Sequence, residues 1–309
     1  MNILVTGGSG FVGQALIPKL LAKGERVISV SRNPQAPREN LMPLVGDITK
    51  PNLGLSDVAG GKIEKLYHLA AIHTLGKDKN GLIWETNVDG TRNVIDFCIR
   101  YDVPHLLFCS TAYTSDENPY ERSKIVSERE INTFAKFRGV KATIFKPSVI
   151  MGTEGHPFPG HFSQFVYALI RFLRIAGVVK SKIEGVLRLP VLEIVHRVQG
   201  NPEGRLNLVT VDKVARAMAD IDDEGVFWLT NPNPPLLRDL AKWVSEFIMI
   251  DFRIVPEFEP TPIEARFMRV ASAFKPYLEG DSFPSDMSDC PPVTKEFIHD
   301  TIRTMFLRG

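Results

Sequence analysis

The sequence predicts an α/β fold, a doubly wound parallel sheet followed by a smaller C-terminal substrate-binding lobe. Three features carry this expectation. Apolar runs alternate with helical patterns through the first half, a glycine-rich turn joins the first run to the first helix, and prolines break up the second half.

Asn2-Ile3-Leu4-Val5 reads as a buried strand, too short and too poor in basic flanks for a secretory signal. Thr6-Gly7-Gly8-Ser9-Gly10-Phe11-Val12-Gly13 follows, then a helical pattern in Phe11, Val12, Ala15, Leu16, Leu20 and Leu21. Arg26 to Val30 is a second strand, Leu41 to Val45 a third, and Lys65 to Leu69 a fourth. Glu85 through Ile99 carries Val88, Val94, Ile95 and Ile99 at the spacing of an amphipathic helix. His105 to Phe108 is a fifth strand, Tyr120 to Phe137 a helix, and Lys141 to Phe145 a sixth strand. Such alternation implies right-handed crossovers, and ligands of these sheets bind beyond the carboxyl ends of the strands. Thr6, Arg32, Asp47, Ala70, Thr111 and Pro147 should therefore line one crevice. The character changes near Gly152. Residues 1–152 are expected to bind a dinucleotide and 153–309 to form the lobe, with segments such as 207–215 returning to the sheet. Helices are expected in the lobe near 162–176, 212–222 and 236–248.

With 37 basic and 36 acidic residues the net charge is +1, so no global field points to nucleic acid or a membrane surface. Cys98, Cys109 and Cys290 lack metal-ligand spacing, and so small and odd a set suggests reduced thiols in a cytoplasmic protein with no metal site. The most apolar stretch, Phe162 to Val179, is interrupted by Arg171 and Arg174, so no membrane span is expected.

The glycines at 7, 10 and 13 stand between a strand and a helix. Glycine allows a tight turn and lets backbone approach a pyrophosphate, whose charge suits the amides of a helix N-terminus. Gly7, Ser9, Gly10, Phe11, Val12 and Gly13 are the expected contacts. The second strand ends in Ser31-Arg32-Asn33, where an NAD-binding fold usually carries a carboxylate for the ribose 2′-hydroxyl. With no carboxylate there and an Arg able to pair a 2′-phosphate, Ser31 and Arg32 favour NADP(H) over NAD(H).

Tyr120 and Lys124 lie four apart in Asn118-Pro119-Tyr120-Glu121-Arg122-Ser123-Lys124, on one face of the expected helix. A phenol titrates near about 10, and an adjacent ammonium favours the phenolate and draws that value toward neutrality. General acid–base chemistry needs that match.

With these residues in place, the chain resembles the extended short-chain dehydrogenase/reductase family, the epimerase/dehydratase superfamily, most strongly over about residues 1–150. Thr6 to Gly13 is similar to the family's nucleotide loop of a Rossmann fold, and Gly46-Asp47-Ile48 to the turn that receives the adenine. His68-Leu69-Ala70-Ala71 resembles the fourth-strand end beside the cofactor ribose, and Asn87-Val88-Asp89-Gly90-Thr91 a helix start. Phe108-Cys109-Ser110-Thr111-Ala112 resembles the strand that delivers a catalytic hydroxyl, which gives that role to Thr111. Lys146-Pro147-Ser148-Val149-Ile150-Met151-Gly152 resembles the segment past the sixth strand, with Lys in place of the family's Arg. Ser110 to Tyr113, Asn118 to Lys124 and Phe274-Lys275-Pro276-Tyr277-Leu278 are most similar to the male-sterility/thioester-reductase branch.

The resemblance implies hydride transfer to or from a carbonyl or alcohol, an acyl thioester or aldehyde included. Thr111 would hold the substrate oxygen, Tyr120 would move the proton, and Lys124 would tune Tyr120 and bind the ribose. Ile48, Leu69, Ala70, Ala71, Asn87, Lys124 and Pro147 would join Asp47 around the cofactor. Asn87 either supports a water path to Lys124 or caps its helix. A small-molecule substrate and a homodimer, formed through the helices containing Asn87 and Tyr120, are also implied. Only eight residues separate Thr111 from Tyr120, fewer than the family usually places in that loop.

Other readings compete. A sugar-nucleotide epimerase or dehydratase would use the same three residues with tightly held NAD, and a non-catalytic dinucleotide-binding sensor would keep the fold without turnover. His68, His73, His105, His156 and His161 read as structural histidines, although His156 and His161 fall near the expected substrate lobe. Glu121 and Glu128 read as solvated partners of nearby Arg or Lys. Phe162, Phe165, Tyr167 and Phe172 read as one buried helix face or, alternatively, as the lining of an apolar substrate channel.

Overall fold

β1 (Asn2–Thr6) pairs in parallel with β2 (Arg26–Ser31) on one side and β4 (Lys65–His68) on the other. The computed structural model describes residues 1–56, 61–74, 77–115, 118–153, 166, 195–280 and 282–306. β3 (Leu41–Val45) extends the sheet beyond β2, and β5 (His105–Cys109) and β6 (Lys141–Pro147) extend it beyond β4. A seventh strand, Gly225–Leu229, closes the far edge in parallel register with β6, with Phe227 opposite Phe145. The order is therefore Gly225–Leu229, β6, β5, β4, β1, β2, β3. Chain direction across the sheet reverses between β1 and β4, the switch point where such folds leave a crevice.

The strand period of two sorts the core into two layers. Ile3 and Val5 pack with Leu16, Ile17 and Leu20 of α1 (Phe11–Ala22) and with Val214 and Met218 of the helix Val211–Asp220. Leu4 points the other way, toward Val94 and Phe97 of α3 (Gly90–Arg100) and Ile131 and Phe134 of α4 (Pro119–Arg138). Burying each such side chain stabilises the fold by about 1.5–3 kcal/mol. The central strands read as unbroken apolar runs because both their faces are covered.

The helix read over Glu85–Ile99 begins earlier and is irregular. α2 (Leu82–Trp84) leads into a π-turn at Glu85–Asp89, and regular α-helix starts only at Gly90. The wider turn buries both Asn87 and Val88. α4 starts where Asn118 Oδ1 accepts from Glu121 N at 3.0 Å with Pro119 at the first position, and it ends at Gly139 with φ 65°.

The chain divides into two compact units, Met1–Ile150, Val209–Thr230 and Pro284–Cys290 against Met151–Leu208, Asn231–Phe283 and Pro291–Gly309. The first unit thus takes more of the second half than a break at Gly152 assigns it. An apolar run, Val226-Phe227-Trp228-Leu229, covers the open hydrogen-bonding edge of β6. Within the second unit His196–Gln199 and Phe252–Val255 pair in parallel. There Arg197 grips Glu264 at 2.9 Å, and Glu264 closes a capping box with Thr261 on the helix Pro262–Val270. The expected helix near 162–176, its aromatic positions, His156 and His161 lie outside the described residues, apart from the buried Val166. Among the described residues no helix is long and apolar enough to cross a membrane.

Candidate active site

The glycine loop is shaped by its neighbours. Gly7 adopts φ 73°, and a Cβ on it would lie 2.7 Å from Ala70 N, so a side chain there would collide with the chain leaving β4. A Cβ on Gly13 would lie 2.5 Å from Gly7 O, which lets α1 begin directly against the loop. Gly10 caps α1 without a side-chain bond, and no acidic residue occupies the first turn. The N-terminus of this 12-residue helix, beginning at Phe11, is thus of the kind that suits an anion. Ser9 is held by Gln14 Nε2, which donates to its carbonyl at 2.7 Å.

Ser31 closes β2 with a buried Oγ that has no hydrogen-bond partner, and Arg32 beside it is exposed. Arg32 forms no ion pair among the described residues. Asp47 Oδ1 accepts from both Thr49 N and Thr49 Oγ1 at 2.9 Å, fixing the turn after β3. Asn93 Nδ2 donates to Ile48 O at 2.8 Å, and a Cβ on Gly90 would strike Ile48 Cδ1 at 2.8 Å. Leu69 N donates to Thr6 O at 3.2 Å and Ala70 N to Thr6 Oγ1 at 3.4 Å, so this strand end is bound to the glycine loop's strand. Ala71 follows, half-buried. These residues fit a dinucleotide. Glycines at 7, 8 and 10 leave little in the loop to obstruct a pyrophosphate, and at the end of β2 stand an orphaned Ser31 hydroxyl and, among the described residues, an Arg32 guanidinium without an ion pair.

Behind this edge lies a seam of buried hydroxyls. Thr6 Oγ1 meets His68 Nδ1 at 2.8 Å, and His68 Nε2 meets Thr91 Oγ1 at 3.1 Å. Thr91 and Ser127 both donate to Asn87 O, at 2.6 and 2.8 Å. Asn87 clasps Ile72 in both directions, at 2.8 and 2.9 Å, and gives its other amide hydrogen to Ser123 Oγ at 2.9 Å. Asn87 does not cap α3, whose first turn has no side-chain cap. It ties the chain after β4 to α4. His68 is fully enclosed, and burial, helped by the Lys124 charge, lowers its pKa from 6.5 to about 3.

Lys124 is buried, only 3% exposed. Its Nζ donates to Cys109 O at 2.7 Å and lies 4.6 Å from the Phe108 ring centre and 5.9 Å from that of Tyr120. Burial lowers its pKa to about 8, with Cys109 and Glu128 opposing. Thr111 is buried just beyond β5, where its Oγ1 accepts from Tyr113 N at 3.2 Å and keeps its own hydrogen to donate. Pro147 ends β6, and its carbonyl accepts from Ala112 N at 2.8 Å. Tyr120, Lys124 and the strand end carrying Thr111 are thus gathered at the carboxyl edge of β5.

Two expected surface pairs are not at the surface. Glu121 is 0% exposed and is held by Ser115 Oγ at 3.0 Å and Asn118 Nδ2 at 2.8 Å. Glu128 faces inward to Ser110 Oγ and to Lys146 Nζ of β6. The available signal was that Ser123, Lys124, Ser127 and Glu128 follow Tyr120 at three, four, seven and eight residues, one helix face. Being polar, that face reads as solvent-facing. Among the described residues no group of His, Cys, Asp or Glu is gathered to hold a metal ion.

Residues 3–176 match the sequence profile described as the NAD dependent epimerase/dehydratase family. The chain belongs to that family. A 3-beta-hydroxysteroid dehydrogenase of Mycolicibacterium neoaurum is 29% identical over 177 residues, 49% of this chain and 48% of that one. A Drosophila melanogaster protein named as a candidate fatty acyl-CoA reductase is 25% identical over 253 residues, 58% of this chain and 46% of its own length. The chain therefore spans about half the length of the curated relatives it matches. A UDP-glucose 4-epimerase structure from Thermotoga maritima, solved with UDP-glucose, superposes with a TM-score of 0.67 over 100% of this chain and 99% of that one. Its 19% identity speaks for the fold. The Rossmann-type sheet, and a family of dehydrogenases, reductases and epimerases, agree with the sequence reading.

The buried His68 makes acid stability predictable. Between pH 6.5 and about 3 the unfolded chain holds a proton on this residue that the folded chain does not. Its contribution to stability is complete above pH 6.5 and is lost as pH falls toward 3. Urea denaturation across this range should show His68→Asn flattening the slope by up to about 1.4 kcal/mol per pH unit. An unchanged slope would mean that His68 titrates alike in both states.

Proposed function

We propose that this protein is an NADP(H)-dependent oxidoreductase that moves a hydride to or from a carbonyl or alcohol carbon. The observation that carries the reading is the buried Lys124 ammonium, set between the Tyr120 and Phe108 rings at the carboxyl end of β5. An ammonium there costs desolvation, which a purely structural site would avoid with an apolar residue. Bound along the glycine loop, the dinucleotide would supply or accept the hydride. Tyr120 donates a proton to the substrate oxygen in reduction and removes one in oxidation. The Thr111 hydroxyl donates to the same oxygen, a fixed dipole where charge develops. Lys124, still charged at neutral pH, stabilises the Tyr120 phenolate and is available to the ribose.

Gly7, Ser9, Gly10, Phe11, Val12 and Gly13 hold the pyrophosphate in this reading. Ser31 and Arg32 hold the 2′-phosphate, and Asp47, Ile48, Leu69, Ala70, Ala71, Asn87 and Pro147 border the rest. The orphaned Ser31 hydroxyl, and Arg32 with no ion pair among the described residues, support NADP(H) over NAD(H). The same features weigh against an epimerase with held NAD. Reduced thiols, free at Cys98, Cys109 and Cys290, suit a cytoplasmic protein. A homodimer through α3 and α4 belongs to the proposal. Ile95, Ile99, Phe134 and Phe137 line a surface groove of about 450 Å³ between these helices, and Phe137 is 88% exposed.

Tyr120→Phe should lower turnover of a carbonyl substrate more than about a hundredfold while NADPH affinity stays within about threefold; near-normal turnover removes Tyr120 from the chemistry. Arg32→Asp should swing preference toward NADH by about tenfold or more, read as the ratio of kcat/KM values. No swing would sink the cofactor assignment. In sedimentation velocity Phe137→Glu should convert a dimer to monomers, and a monomeric wild type would end the dimer reading.

A further inference from the structure

Ser110, Glu128 and Lys146 form a chain of contacts that the Thr–Tyr–Lys reading leaves unused. Ser110, 2% exposed and adjacent to Thr111, donates its hydroxyl to Glu128 Oε1. Glu128 Oε2 stands 3.0 Å from Lys146 Nζ, with these side chains 14% and 11% exposed, and the Lys146 ammonium lies 5.2 Å from the Trp228 ring centre. One carboxylate on α4 therefore binds the end of β5 and a residue of β6 together. A mere rivet at this place could be apolar at lower desolvation cost.

The placement along α4 suggests more. Glu128 is one turn beyond Lys124 and two beyond Tyr120, on the same helix face. Lys124 is faced by Phe108 and Cys109 from β5, by Tyr120 and Glu128 from α4, and by His68 and His73 from the end of β4 and the chain after it. Burial keeps Cys109 a thiol and His68 neutral. Glu128 is left to supply negative charge to that ammonium, and Lys146 holds the carboxylate from the other side.

We propose that Glu128 is a positioning residue of this site, which fixes the Thr111 end of β5 against α4 through Ser110 and balances the buried Lys124 ammonium with its charge. The proposal rests on the oxidoreductase reading above. Glu128→Gln keeps the shape and removes the charge.

Turnover is followed with NADPH and a panel of medium-chain aldehydes and acyl-CoA thioesters, and the Lys124 ammonium by NMR of ¹⁵N-lysine-labelled protein, assigned with Lys124→Arg. Glu128→Gln should lower kcat about tenfold or more with KM within about threefold. It should move the Lys124 titration, and the alkaline limb of the pH–kcat profile, down by about half a pH unit or more. Glu128→Asp should recover part of both. Ser110→Ala keeps the charge but cuts the tie to β5, so kcat should fall while the Lys124 titration stays in place. Should Glu128→Gln fail to fold, Ser110→Ala and Glu128→Asp decide. An unmoved Lys124 titration in Glu128→Gln, or wild-type kcat in Ser110→Ala, overturns the proposal. A wild-type protein that turns over none of these carbonyls overturns the oxidoreductase reading instead, and the Lys124 titration then still reports whether Glu128 acts on it.

Discussion

A positive charge held out of water at the carboxyl end of β5 organises this molecule's polar interior. Among the described residues the Lys124 ammonium has one hydrogen bond, to Cys109 O, and two aromatic faces nearby. Desolvating an ammonium is costly unless dipoles, rings or an anion return part of the loss. The surroundings meet that demand in pieces. A carbonyl accepts, Phe108 and Tyr120 offer their faces, and Glu128 lies one turn away. The same charge helps keep His68 neutral, so the hydroxyl seam behind the site stays uncharged at physiological pH.

α4 carries most of this arrangement, and it departs from the usual logic of a helix on a sheet. Its C-terminal half buries Ile131 and Phe134 in the ordinary way. Its N-terminal half buries Glu121, Ser123, Lys124 and Ser127, all polar. Such a face is stable only when every donor and acceptor finds a partner, and here the partners come from other elements. Asn87 offers its amide to Ser123, Thr91 meets Ser127, and Ser115 closes on Glu121. The π-turn before α3 belongs to this account, since it carries Asn87 to the junction with α4 and the chain after β4.

Family membership explains why so much was legible so early. The glycine loop, the strand–helix alternation and the Tyr–Lys spacing are local in sequence, and each follows from short-range geometry: a turn that admits no side chain, a period of two or 3.6, a pair one helical turn apart. Relatives with different named substrates share this half of the chain, so its motifs report the fold and the kind of chemistry rather than the molecule acted upon.

The sequence by itself determined the parallel sheet, the positions of its first six strands along the chain, the glycine turn and the pairing of Tyr120 with Lys124. All of these depend on residues near one another along the chain. Only the tertiary structure decided that Gly225–Leu229 completes the sheet beside β6, that Glu121 and Glu128 face inward, and that Asn87 is a clasp. Those outcomes join residues from 6 to 80 or more positions apart. Polar side chains carry no periodic mark that tells a satisfied interior from a wet surface, and only the partner brought across space supplies the difference.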